Sequence, residues 1–138
     1  MFPHHSEVPL PGDPDHSECI VVREILDRVG DKWSVLVIAL LGDRGQRFSE
    51  LKRAIEGISQ RMLTLTLRQL EHDGLVSRTV HATVPPRVDY ALTPLGRSVL
   101  EPINALMVWA REHGTDIADA RRRYEDANAV GAVEDVAN

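Results

Sequence analysis

Ser59-Gln60-Arg61-Met62-Leu63-Thr64-Leu65-Thr66-Leu67-Arg68-Gln69-Leu70-Glu71-His72-Asp73-Gly74 reads as one helix with both ends marked. Ser59 is placed to cap it, since a serine hydroxyl accepts from an orphan N–H of the first turn. Gly74 stands where a left-handed residue stops a helix. Leu63, Leu67 and Leu70 recur at i, i+4 and i+7 and share one face. The opposite face carries Arg61, Leu65 and Arg68, with Thr64 at its edge and Gln60 near the N-terminus. A helix that buries leucine and turns Arg, Gln and Thr outward is suited to the major groove of DNA. Its neighbours in sequence decide whether that is its use.

Upstream, Gln46-Arg47-Phe48 predicts a short strand, and Ser49-Glu50-Leu51-Lys52-Arg53-Ala54-Ile55 predicts about two turns of helix capped by Ser49. Glu56-Gly57-Ile58 is a tight connection into Ser59. Two helices joined by a glycine-containing turn, the second amphipathic and basic outside, form a helix-turn-helix. Downstream of Gly74 the apolar period changes to two. Leu75–His81 alternates and is rich in β-branched residues, and Val88–Leu92 returns after a loop containing Pro85-Pro86. A hairpin directly after the second helix is the wing of a winged helix-turn-helix, with Arg78 and Arg87 as its basic residues.

The flanks are helical. Cys19–Val29 carries the apolar stripe Val22, Ile25, Leu26, Val29 and ends at Gly30. Asp31 caps Lys32–Leu41, which is apolar almost all round and expected at the centre of the core, with Trp33 buried. Thr93-Pro94 starts a helix running to His113, with Pro102 predicted to kink it by removing the bond to the Ser98 carbonyl. Its apolar residues serve either a dimer contact or packing within one domain, and Trp109 either a core or that interface. Arg121–Tyr124 extends a last short helix, and small and acidic residues from Asp126 predict a loose tail. The expected organisation is therefore a flexible arm over 1–18, a winged helix domain over 19–125 and a flexible tail over 126–138. The fold class is mainly α with a small β-hairpin wing.

Charge follows the same plan. The net charge is −5, but residues 44–97 carry 9 basic against 5 acidic side chains, while residues 1–43 carry 3 against 8 and residues 98–138 carry 4 against 8. The basic excess surrounds the opening helix, and a local patch of this kind, rather than global charge, is the footprint of phosphate binding. The longest apolar run, Val35–Leu41, is far short of a membrane span, and no signal-peptide pattern opens the chain. One cysteine excludes an internal disulfide and fits a reducing, cytoplasmic setting. His4, His5 and His16 with Cys19 lack the spacing of a metal site, and no metal or other cofactor is expected. No phosphate-cradling glycine loop, HExxH, CxxC or GxSxG occurs, and no acid–base pairing supports an enzyme.

Cys19, Gly30-Asp31-Lys32-Trp33, Arg47-Phe48-Ser49-Glu50-Leu51, Gly57-Ile58-Ser59-Gln60-Arg61-Met62-Leu63, Leu67-Arg68-Gln69-Leu70-Glu71, Asp73-Gly74-Leu75-Val76 and Val84-Pro85-Pro86-Arg87-Val88-Asp89-Tyr90-Ala91-Leu92-Thr93 together resemble the HxlR-type winged helix-turn-helix transcriptional regulators, over about residues 19–113. The ordered series carries the resemblance; each motif alone is weak. It implies a homodimeric bacterial DNA-binding regulator, similar in build to MarR-type proteins, that dimerises through its N- and C-terminal helices. Many such regulators carry an N-terminal cysteine followed by proline, and several use it to sense oxidants or electrophiles. Cys19 holds that position, with Ile20 in place of the proline. A thiol near a helix N-terminus is favoured as thiolate, while Glu18 and Glu24 oppose this; the alternative is a buried thiol acting as a small hydrophobe.

The reading therefore assigns double-stranded DNA and a second copy of the chain as partners, with an oxidant, electrophile or small molecule as effector and no membrane. Gln60, Arg61, Thr64 and Arg68 are the candidates for base edges. Ser49, Lys52 and Arg53 are candidates for phosphates, and Arg87 for the minor groove or backbone. Ser59 either joins them or only caps its helix. Arg68 reads DNA or pairs with Glu71 or His72, and Leu65 meets a thymine methyl or packs within the protein. A small-molecule effector would occupy an apolar pocket that the dimer holds between the Trp33 helix and the Pro94–His113 helix. The alternative function is a winged helix used as a protein-interaction module without specific DNA binding.

Overall fold

The computed structural model describes the backbone of residues 16–137 and the side chains of residues 18–130. The elements run α1 (His16–Val29), α2 (Lys32–Leu41), β1 (Gln46–Arg47), α3 (Phe48–Ala54), α4 (Gln60–His72), β2 (Val76–His81), β3 (Arg87–Leu92) and α5 (Pro94–Ala137). The protein is mostly helical, with a three-stranded antiparallel sheet ordered β1-β3-β2. It has the winged helix-turn-helix architecture expected. The chain divides at Leu100–Glu101 into two compact units.

The first unit holds the core. Val37, Ile38 and Leu41 of α2, Leu51 of α3, and Leu63, Leu67 and Leu70 of α4 are all nearly or fully buried, joined by Ile55, Ile58, Leu75, Val76, Tyr90 and Leu92. The leucine face of the quoted stretch is thus the inner face. Trp33 is half-buried instead of fully so, because it lies in the first turn of α2, where the Lys32 ammonium sits 4.6 Å from its ring centre. Asp31 caps α2 by accepting from the Trp33 and Ser34 N–H groups at 3.2 and 3.3 Å.

Both ends of α4 match their markers. Ser59 Oγ accepts from the Met62 N–H at 3.0 Å. At the far end Gly74 has φ +76°, the Gly74 N–H donates to the Glu71 carbonyl and the Leu75 N–H donates to the Leu70 carbonyl. This is a Schellman stop, and buried Leu70 and Leu75 supply its apolar contact. Gly57, at φ +85°, makes the turn between α3 and α4.

Strand ends shift by one residue, and three helices differ more from the sequence reading. Helix α3 begins one residue earlier, so Ser49 lies inside it; the Glu50 carboxylate accepts from the Arg47 N–H at 3.1 Å and closes the first turn in place of a serine cap. Helix α1 starts at His16, inside the stretch read as an arm; residues 1–15 and the side chain of His16, with the metal reading that used them, lie outside the described residues. Helix α5 continues unbroken through Pro102 and Gly114 to Ala137, so the loose tail from Asp126 and the separate Arg121–Tyr124 helix are corrected. Alanine is the best helix former, and one proline or glycine costs a local bond or entropy without forbidding the turns beyond it.

Candidate nucleic-acid interface

The register of the hairpin decides which side chains stand beside α4. In β2 and β3 the partners are Val76↔Leu92, Arg78↔Tyr90 and Val80↔Val88 on one face, and Ser77↔Ala91, Thr79↔Asp89 and His81↔Arg87 on the other. The first face carries buried Val76, Tyr90 and Leu92 and belongs to the core side. Arg78 therefore emerges beside α4, and Arg87 on the opposite face. A cleft of 510 Å³ between α4 and the hairpin is lined by Gln60, Thr64, Arg68, Glu71, Arg78 and Tyr90, with Phe48 and Val88.

Three of the four residues read as base contacts, Gln60, Thr64 and Arg68, line that cleft. Arg61 is exposed on α4 outside it. Arg53 and Ser49 are exposed and Lys52 is half-buried on α3. Among the described residues no carboxylate lies within ion-pair distance of Lys52, Arg53, Arg61, Arg68 or Arg78, so the pairing of Arg68 with Glu71 does not form. Ser59 spends its acceptor on capping.

Arg87 is placed differently. Its guanidinium donates to Asp89 Oδ2 at 3.0 Å, and His81 Nε2 lies 2.8 Å from the same oxygen. Burial pushes the Asp89 carboxyl up, but the hydrogen bonds from His81 and Arg87 outweigh it and hold the group below its ordinary value. At the base of the sheet the Glu50 carboxyl is held below its ordinary value by the Arg47 N–H first and then by Arg44, 3.0 Å away.

The other flank of α4 is acidic. Met62, Leu65, Thr66 and Gln69 line a second cleft, of 560 Å³, with Glu24, Asp27, Arg28 and Asp31. Leu65, 46% exposed, belongs to that side rather than to the basic one. The helix thus has a cationic flank toward the hairpin and an anionic flank toward α1, a polarity that favours a polyanion on the hairpin side only.

Sequence reasoning named Arg87 as the wing residue of the site and did not select Arg78 or Tyr90. The signal was present, since residues two apart share a strand face, but it needed the cross-strand register. The apolar pocket expected in a dimer between the Trp33 helix and the Pro94 helix is not tested by a single chain. Within one chain, a cleft of 590 Å³ with an apolar lining is formed by Ile25 and Val29 of α1, Leu75, and Leu95 and Val99 of α5, beside the Arg28–Asp73 ion pair at 3.0 Å. Cys19, in the first turn of α1, is a free thiol and is 7% exposed. No group of three or more metal-ligating side chains occurs among the described residues.

The profile of the HxlR-like helix-turn-helix family matches residues 28–118, which spans α2 to the middle of α5. The chain belongs to that family. An HTH-type transcriptional regulator of Methanothermobacter thermautotrophicus is 47% identical over 94 residues, covering 68% of this chain and 72% of that protein. The solved ytfH protein from Salmonella typhimurium superposes with a TM-score of 0.70 at 39% identity, covering 73% of this chain and 90% of that one. The redox regulator HypR superposes in its oxidized form with a TM-score of 0.63 at 40% identity over 67% of this chain and 95% of that one. In its reduced form the score is 0.66 at 38% identity, over 72% and 98%. This HxlR-like protein is accordingly a transcriptional regulator of the helix-turn-helix type and not an enzyme. No helix among the described residues is long and apolar enough to cross a membrane.

Proposed function

We propose that this regulator binds double-stranded DNA as a homodimer, placing one copy of α4 per protomer in successive major grooves of a pseudo-palindromic operator. The observation that carries the reading is the outward arc of α4, where exposed Arg61 and Arg68 have no carboxylate partner among the described residues. Gln60, Arg61, Thr64 and Arg68 face base edges, glutamine suiting adenine and arginine guanine. Ser49, Lys52 and Arg53 hold phosphates and set the register, Ser59 presents the helix N-terminus, and Arg87 reaches the backbone or minor groove after leaving Asp89. Dimerisation is supported by α1, which exposes Ile20, Val21, Val22, Ile25 and Leu26 on an otherwise ordinary helix.

The test is a titration of the full chain against a labelled duplex from upstream of its own gene. Arg61→Ala is expected to weaken binding and relax preference at one base position. Lys52→Ala is expected to weaken all sequences alike and lower the salt slope by about one. If both variants bind as the parent does, α4 is not the reading head. Leu26→Glu is expected to convert a sedimenting dimer to monomer; a parent that sediments as a monomer at every concentration overturns the dimer.

For the signal, we infer an oxidant or electrophile acting at Cys19. The reading is supported by the thiol's place in the first turn of α1 and by the likeness to HypR, itself a redox regulator. A second reading is favoured by the apolar cleft between α1, Leu75 and the start of α5, which has the size of a small-molecule site. Thermal stabilisation of a Cys19→Ser variant by an aromatic or quinone ligand would support the cleft over the thiol.

A further inference from the structure

We propose that the cleft between α4 and the hairpin is a seat for one phosphodiester of the DNA backbone, held by Arg68, Arg78 and the Tyr90 hydroxyl, with Glu71 at its edge as a repulsive gate against DNA that is not held in register. This rests on the DNA-binding reading and changes the role of Arg68 from reading a base to holding the backbone.

Arg78 and Tyr90 are directly opposed across β2 and β3, so their side chains leave the sheet on one face as neighbours about 5 Å apart at Cβ. That face closes against α4, which brings Arg68 to the same cleft. Tyr90 as a whole is 9% exposed, but its hydroxyl, which makes no hydrogen bond to a described residue, is not a buried polar atom and so opens toward the cleft. An O–H donor lining a cleft beside two guanidinium groups is complementary to an anionic oxygen and to little else. Arginine matches the geometry of a phosphate through paired N–H donors.

The two wing arginines divide the work by sheet face. Arg87 is held by Asp89 on the face away from α4, whereas Arg78 has no carboxylate partner among the described residues and stands within the cleft. A phosphodiester can engage Arg78 without first breaking an ion pair. Glu71 follows Arg68 by three residues on the same helix, lines the cleft, and pairs with neither arginine. Its carboxylate reduces the cleft's charge from two positive to one. A backbone that is fixed by base contacts elsewhere keeps its phosphate on the arginines; one that is not meets the carboxylate. Glu71 thereby lowers affinity for random-sequence DNA more than for the operator and widens the gap between them.

The experiment titrates the full chain with a labelled random-sequence duplex at several salt concentrations, so no operator is needed. Arg78→Gln is expected to weaken binding roughly tenfold at low salt and reduce the salt slope by about one. Tyr90→Phe keeps the ring and is expected to weaken binding roughly threefold to tenfold with the slope unchanged. Glu71→Gln is expected to tighten random duplex about threefold or more. A parent-like slope in Arg78→Gln, with the parent binding normally, overturns the seat alone. Weakened binding in Glu71→Gln overturns the gate. Saturable binding of inorganic phosphate or AMP to the free protein, abolished by Arg78→Gln, assigns the cleft to a soluble phosphate and overturns the backbone assignment. Failure of the parent to bind any duplex overturns the DNA-binding reading itself, and this proposal with it.

Discussion

Thr93 Oγ1 donates to the Gly74 carbonyl at 2.6 Å and accepts from the Gly96 N–H at 3.0 Å. The Thr93 N–H donates in turn to the Leu75 carbonyl at 3.1 Å. One residue therefore caps the start of α5 and satisfies the carbonyl of the glycine that ends α4. Thr93→Val preserves shape and removes both side-chain bonds, and is expected to cost about 1–3 kcal/mol. Thr93→Ser should recover most of it. Urea unfolding monitored by helix content reads the difference as a lower midpoint with the slope unchanged.

A methyl group added at Gly96 would lie 2.1 Å from the Leu75 carbonyl oxygen, a backbone atom that cannot swing aside. Gly96→Ala is expected to lose about 1–3 kcal/mol, as overpacked sites do. Gly114 is the counter-case: nothing lies within 4 Å of an added Cβ there. Gly114→Ala should stabilise α5 by up to about 1 kcal/mol. Thermal unfolding of the two variants should shift in opposite directions, and a common direction would contradict the packing described.

Acid should weaken the sheet in a defined sense. Glu50 and Asp89 both have folded pKa values below their ordinary ones. Each therefore contributes stability that is present in full above the ordinary carboxylate range and lost as pH falls through the depressed folded value, below about pH 4. Glu50→Gln should be less stable than the parent at pH 7, and the two curves should converge as the pH drops. A constant gap between them down to pH 2 would mean that the Arg47 and Arg44 contacts do not favour the charged form.

Cys19 offers a chemical test. Diamide is expected to weaken DNA binding by the parent, and Cys19→Ser should lose that response. At 7% exposure the thiol should react with a bulky aromatic disulfide more slowly than a free thiol, and more quickly once urea loosens α1. A parent whose DNA affinity ignores diamide would leave Cys19 as a small core hydrophobe.

Helix α4 was legible because its signals are local. Ser59, the leucine spacing and Gly74 each act within one or two turns, and each is found in the structure. The wing was legible as a hairpin and illegible as a surface. Arg78 and Arg87 look alike in sequence, and only the pairing of Arg78 with Tyr90 and of Thr79 with Asp89 sends them to opposite faces. Helix α1 shows a related limit. Ile25 and Leu26 belong to its apolar stripe and are 55% and 61% exposed in the protomer, because periodicity reports amphipathy and not which partner covers it. Small and acidic residues from Asp126 read locally as a loose end, but they do not stop a helix already under way.

Both long-range polar ties to α4 among the described residues fall at its C-terminal end, Arg28 on Asp73 and Thr93 on Gly74. They come from α1 and from the residue that caps α5. On the DNA-binding reading proposed above, the helix would act as a lever with its pivot at Asp73–Gly74 and its tip at Gln60–Arg61. Thirteen residues give an arm of about 20 Å at 1.5 Å per residue. A tilt of about 6° at the pivot then sweeps the tip by about 2 Å, more than a hydrogen bond tolerates. Small movements of the two helices that grip the pivot are multiplied where the bases would be read.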